Sequence, residues 1–145
     1  MSTEDFVTYE QAMKLKELGF REPCLYFYDI NRTLHPNEIN IGPFDCVEDY
    51  KNNLPVCINE GFRTENTLHS NFDICDAPTL AQAQKWLRGN KSLFVEVNIN
   101  INTGKFFWTI YSLLNKKQKY IIRDYDTYEE ALLGGITGCL EYEYK

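Results

Sequence analysis

Two histidines and five cysteines bound the nucleophilic and metal chemistry open to this chain. His69 and Cys75, with Cys46 or Cys57, are donors of the right type for zinc. Structural zinc sites bring their ligands in close pairs, and the cysteines at 24, 46, 57, 75 and 139 show no such spacing. A nucleophilic Cys–His pair needs a reactive thiol, a neighbouring base and a group that orients the base; no local signature marks one. Glu48, Asp49, Asp73 and Asp76 carry carboxylates suited to acid–base work. Asp76 is equally explained as a turn residue before Ala77-Pro78-Thr79. No glycine-rich phosphate loop occurs. These residues imply no cofactor and no metal, and they favour a non-enzymatic role.

The remaining chemistry is that of a surface. Phe94, Glu96, Asn98 and Asn100 alternate with the apolar residues of one run, and Phe107, Thr109 and Tyr111 do the same in the next. Large aromatics on a nominally wet face have two readings: a second layer supplied by the N-terminal half, or a patch that binds a partner. On the second reading Phe94, Glu96, Phe107 and Tyr111 are the candidate partner-binding residues.

The element that positions them is a hairpin, Leu93 to Leu114. Leu93, Val95, Val97, Ile99 and Ile101 occupy every second position, which predicts a strand with one dry face. Asn102-Thr103-Gly104-Lys105 supplies the turn, with glycine available for positive φ. Phe106 to Tyr111 is aromatic and β-branched, suited to a second strand. A loop with an even number of residues pairs Ile101 with Phe106, Ile99 with Trp108 and Val97 with Ile110. A three-residue loop pairs Ile101 with Lys105 and Val97 with Thr109. The even loop sets apolar against apolar and is the expected register, with Val95, Val97, Ile99 and Ile101 buried.

Three helices are announced by the same device, a threonine cap followed three residues later by Gln or Glu. Thr8-Tyr9-Glu10-Gln11 opens the first, with Val7 and Ala12 placed as a hydrophobic staple. Gly19 and Phe20 suit a Schellman ending. Thr79-Leu80-Ala81-Gln82 opens the second, over Leu80 to Arg88, with Gly89-Asn90 as its stop. Thr127-Tyr128-Glu129-Glu130 opens the third, whose stripe is Tyr128, Ala131, Leu132, Gly135, Ile136, Cys139 and Leu140. Gly134, Gly135 and Gly138 interrupt that helix, which suggests close approach to a neighbour; the last residues, Glu141 to Lys145, are expected to fray. Cys24 to Ile30 reads as a strand turning at Asn31-Arg32 towards Thr33-Leu34-His35. Asn115 to Gln118 reads as a loop and Lys119 to Tyr125 as a third strand of the hairpin sheet.

Residues 36–76 form a long irregular segment broken by Pro36, Pro43 and Pro55. A loop of that length is uncommon within a compact domain, so short elements are expected inside it, including a helical turn near Val47 to Asn52.

The 145 residues, 43% apolar and 25% charged, suit one soluble domain spanning 1–145. No apolar run has the length of a membrane span, and the polar start Met1-Ser2-Thr3-Glu4-Asp5 is unlike a secretory signal. An odd number of unspaced cysteines fits a reducing, cytoplasmic compartment. A net charge of −6 offers no long-range attraction to nucleic acid or anionic membrane. Lys116, Lys117 and Lys119 make a local basic cluster, which an ordinary solvated loop explains.

The helix–strand–strand–strand–helix order of the C-terminal half resembles the double-stranded RNA-binding domain. That family carries a lysine-rich start on its second helix, where this chain has acidic Thr127-Tyr128-Glu129-Glu130, so RNA binding is not expected. Gly19-Phe20-Arg21-Glu22-Pro23-Cys24, Ala77-Pro78-Thr79 leading to Lys85-Trp86-Leu87-Arg88, and Tyr128-Glu129-Glu130-Ala131-Leu132 with Gly135-Ile136 and Leu140 resemble a group of small uncharacterised proteins of Bacteroides-type gut bacteria and their phages. The resemblance implies a phage or mobile-element setting and brings no reaction, cofactor or site residue.

The expected architecture is therefore α+β: an antiparallel sheet with helices packed mainly on one face, the C-terminal half ordered α-β-β-β-α. The expected function is a non-enzymatic protein-binding or structural module. The alternative is a small enzyme or ligand binder whose site lies in 36–76.

Overall fold

A computed structural model describes residues 5–37, 59, 62–64, 67–69, 74–120 and 123–143. The fold is α+β. In chain order the elements are α1 (Tyr9–Glu17), β1 (Tyr26–Tyr28), β2 (Leu34–Pro36), β3 (Phe62–Thr64), β4 (Thr67–His69), β5 (Cys75–Asp76), α2 (Leu80–Asn90), β6 (Leu93–Asn100), β7 (Lys105–Ser112), β8 (Lys117–Tyr120) and α3 (Tyr128–Glu143). They divide into two compact units, residues 8–78 and residues 79–145 with the first seven.

In the first unit α1 begins where Thr8 caps it. Gln11 N donates to Thr8 Oγ1 at 3.2 Å and Thr8 N donates to Gln11 Oε1 at 3.0 Å, closing a capping box. The helix ends as a Schellman turn: Gly19 takes φ 103°, Gly19 N donates to Lys16 O and Phe20 N to Leu15 O. Leu15 and Phe20 are fully buried there. β1 and β2 form an antiparallel hairpin and β5 adds on the other side of β1, giving the order β2-β1-β5. Lys16 Nζ donates to Ile74 O at 2.7 Å, tying α1 to the entry of β5. The expected hidden elements include the antiparallel pair β3–β4. The helical turn expected near Val47 to Asn52 lies outside the described residues.

In the second unit β6, β7 and β8 form an antiparallel sheet in that order. α2 packs on β6 and α3, and α3 packs on β6 and β7. The order α2-β6-β7-β8-α3 matches the sequence expectation.

The hairpin register differs from expectation by two residues. Ile99 lies opposite Phe106, Val97 opposite Trp108 and Val95 opposite Ile110. A slip of two keeps every side chain on its face, so the dry face still carries Leu93, Val95, Trp108 and Ile110, all buried. It moves Ile101 into the loop, where it is 89% exposed, and leaves Ile99 57% exposed. Expected burial therefore fails at Ile99 and Ile101, holds at Val95 and is partial at Val97.

The cause is the turn. Residues 101–104 form the loop, and its last position has positive φ, filled by Gly104 at 72°. In the expected register that position would fall on Lys105, at a cost of roughly 1–2 kcal/mol. The turn is also closed by its own polar groups: Asn102 N donates to Asn100 Oδ1, Gly104 N to Asn100 O and Lys105 N to Thr103 Oγ1. Exposure of two isoleucines is the cost of that turn.

Three element ends move outward. α2 runs through Gly89 to Asn90, because Asn90 Nδ2 donates to Trp86 O and the reversal falls to Ser92, φ 54°. β8 starts at Lys117, two residues before the expected Lys119, and its range closes at Tyr120; Tyr125, the expected end, makes an isolated bridge to Phe106 instead. α3 continues through Glu141 to Glu143, its end held by Asn115 Nδ2 donating to Tyr142 Oη at 2.6 Å.

The core of this unit is the contact of α3 with β6 and β7. Leu132, Ile136 and Leu140 are buried along the expected stripe. A Cβ at Gly135 would overlap Val95 Cγ1 and lie 3.3 Å from Trp108 Cβ. One at Gly138 would lie 2.7 Å from Ile110 Cδ1. The glycines bring the helix down onto the side chains of the sheet rather than onto another backbone. Trp108, 4% exposed, fills the space they vacate.

Candidate functional site

Among the described residues, those with chemistry in their side chains are dispersed. Cys75 pairs with Tyr28 across β1 and β5 and is fully buried. Burial pushes its thiol up to about 12; nearby Lys16 opposes that rise and Asp76 adds to it. At neutral pH it stays a thiol, unsuited to nucleophilic attack. Cys24 and Cys139 are also buried and outside any disulfide. Cys46, Cys57, Glu48, Asp49 and Asp73 lie outside the described residues, and His69 is placed on β4. Among the described residues no three His, Cys, Asp or Glu side chains gather as a metal site would require.

Asp76 is a strand residue, neither a turn residue nor an accessible acid. Asn59 N donates to its Oδ2 at 2.9 Å, and Asp76 N donates to Asn59 Oδ1 at 3.0 Å. Asn59 Nδ2 reaches Phe20 O at 2.9 Å. This buried exchange ties Asn59 to β5 and to the end of α1. Its part is structural.

One titratable pair escaped the sequence reading. His35 Nε2 lies 2.6 Å from Asp29 Oδ2, and Asp29 Oδ1 accepts from Asn31 N and Thr33 N. The Thr33 amide first, then His35, holds the Asp29 carboxyl below the usual carboxylate range. The signal was present in Asp29-Ile30-Asn31-Arg32-Thr33, where an Asp accepts from the amides beyond it and Arg32 takes φ 64°. The pair closes the β1–β2 turn.

The sheet face turned away from α2 and α3 collects the aromatic candidates. Phe94 lies opposite Tyr111, Glu96 opposite Thr109 and Asn98 opposite Phe107. Phe94, Phe107 and Tyr111 are half-buried and Glu96 is exposed. Phe94, Val95, Glu96, Tyr111 and Leu113 line a shallow groove of about 400 Å³. Phe107 shares the face outside the groove. Leu113, which the sequence reading did not single out, adds an apolar wall and is 58% exposed. The Tyr111 hydroxyl donates to Glu96, and that bond raises the phenol above its ordinary value. The groove thus has an apolar floor and one carboxylate at its rim.

A second concavity of about 560 Å³ runs beside α3. Trp108 and Tyr125 line it, and Trp108 Nε1 donates to Tyr125 Oη at 3.2 Å. Lys119 and Arg123 face it from one wall, Glu130 and Glu141 from α3. Its charges balance, and the Arg123 guanidinium stands 5.2 Å over the Tyr125 ring. This cleft follows from the glycines of α3, which let the helix sit low on Trp108.

No helix among the described residues is long and apolar enough to cross a membrane. Comparison of the chain with protein-family models, with curated proteins and with solved structures returns no match.

Proposed function

We propose that the unit of residues 79–145 is a non-enzymatic protein-binding module, and that its partner docks on the sheet face bearing Phe94, Glu96, Phe107 and Tyr111. The observation that carries this reading is the groove between Phe94, Tyr111 and Leu113, with the Glu96 carboxylate at its rim. Aromatic side chains offer large contact area for little lost conformational freedom. A single carboxylate beside an apolar floor suits a partner that brings an apolar side chain next to a Lys or Arg. Cys24, Cys75 and Cys139, buried and outside any disulfide, support work in a reducing, cytoplasmic compartment. The resemblance to small phage-associated proteins of gut bacteria supports a phage or mobile-element programme as its setting.

The test is site-specific photocrosslinking. A photoreactive residue at Leu113 is expected to capture one defined host or phage protein, while the same residue at Arg88, exposed on α2, captures none. The purified partner should then bind the wild-type chain and bind Glu96→Lys at least about ten-fold more weakly, the loss of one close charge pair. Equal capture at 113 and 88, or undiminished binding by Glu96→Lys, refutes the docking face.

A further inference from the structure

We infer that β6 pairs through its free edge with β6 of a second copy of this chain, antiparallel and centred on Asn98. β6 is an edge strand in the order β6-β7-β8. Antiparallel partners alternate between residues that exchange backbone hydrogen bonds and residues that do not. Ser92 and Leu113 continue the β6–β7 register by one pair, and Leu113 N donates to Ser92 O, which assigns the even residues of β6 to β7. The odd residues point their backbone groups outward. Val95 confirms this directly, since its carbonyl accepts from Gln84 Nε2 of α2 at 2.9 Å. Beyond Val95, the N–H and C=O of Val97 and Ile99 face out from the edge, and no described strand takes them up.

Solitary proteins protect such edges with lysine, proline or a bulge. β8, the opposite edge, carries Lys117 and Lys119. β6 reads Leu-Phe-Val-Glu-Val-Asn-Ile-Asn, runs in unbroken register against β7 and has none of these devices. Its end displays Ile99 and Ile101, 57% and 89% exposed.

The sequence around Asn98 is symmetric in residue type: Val95-Glu96-Val97, then Asn98, then Ile99-Asn100-Ile101. In an antiparallel pair about a twofold axis at Asn98, Val97 meets Ile99 of the second copy and Glu96 meets Asn100. Asn98 meets its own counterpart. Apolar faces apolar, the one carboxylate faces an amide, and no like charges oppose. Val97 and Ile99 of each copy then exchange both backbone bonds. The neighbouring centres are worse. Centring on Val97 requires the Val95 carbonyl that Gln84 occupies. Centring on Ile99 requires Ile101, which lies in the turn. Centring on Glu96 sets two carboxylates face to face. The occupant that this edge fits is thus its own sequence reversed.

Sedimentation equilibrium across a concentration series tests the pairing. Wild type is expected to reach the mass of a dimer. Val97→Pro removes an N–H that points away from β7, and Ile99→Lys places a charge on an already exposed site. Both variants are expected to stay monomeric with unchanged circular dichroism. Asn98→Cys should form a 98–98 disulfide between copies under mild oxidation, read by peptide mass spectrometry, because non-hydrogen-bonded partners stand close enough to bridge. Asn100→Cys should not link to itself, since it faces Glu96. If Val97→Pro unfolds, Ile99→Lys decides. A wild type that stays monomeric throughout overturns the inference. So does a dimer that survives Ile99→Lys, or a disulfide that forms at 100 and not at 98.

Discussion

Gly135→Ala is expected to destabilise the protein, although alanine is the better helix former. In an exposed helix the exchange would stabilise by about 1 kcal/mol. Here the new methyl overlaps Val95 Cγ1 and stands 3.3 Å from Trp108 Cβ. Val95 is 6% exposed, and its branched side chain has few rotamers to retreat into. Trp108 Cβ can move only if β7 moves. Overpacking of this kind costs roughly 1–3 kcal/mol, so the net loss is about 0–2 kcal/mol. With a urea slope of about 2 kcal/mol/M, the midpoint should fall by up to about 1 M. The double variant Gly135→Ala/Val95→Ala isolates the cause, because removing Cγ1 makes room for the new methyl. The two changes should couple favourably by about 0.5–2 kcal/mol. A midpoint that rises clearly in Gly135→Ala at unchanged slope, or strict additivity in the double variant, refutes the close-contact account.

Gly104→Ala forces a side chain into the left-handed region and should cost about 1–2 kcal/mol, read as a lower denaturation midpoint. Thr79→Ala and Thr127→Ala remove the hydroxyls that accept from Gln82 N and Glu130 N, and each should cost about 1 kcal/mol by the same measurement. Asp29 has a depressed pKa, so its contribution to stability is fully present above the ordinary carboxylate value. It is lost as pH falls through the lower folded-state value. Asp29→Asn should flatten that acid limb in a pH series of melting temperatures, and an unchanged limb would remove the Thr33 and His35 contacts from the explanation. The Cys75 thiol should resist iodoacetamide at pH 8 in the folded protein and react once unfolded; rapid native labelling of the Cys75 peptide would contradict its burial.

Local rules made much of the architecture legible from residues alone. Threonine caps located all three helix starts because the hydroxyl and the amides that it satisfies lie within one turn of chain. Alternation along β6 and β7 assigned each residue to a face, since side chains of a strand alternate whatever its partner does. The Phe94, Glu96, Phe107 and Tyr111 face was readable for the same reason. The two-residue register shift was settled by the turn, where the need for positive φ at Gly104 outweighed pairing Ile101 with Phe106. That signal lay in the sequence, but its weight depends on comparing a backbone cost with two exposed isoleucines.

Other features exist only because distant segments meet. The groove needed Leu113 from the turn after β7 beside Phe94, and the cleft needed Trp108 beneath Gly134 and Gly138. Asp76 offered a carboxylate to sequence reading, and only the approach of Asn59 turned it into a buried structural bond. Spacing along the chain carries the preferences of each residue's own backbone. Which side chains share a cavity is decided by packing between elements, where no local rule reaches.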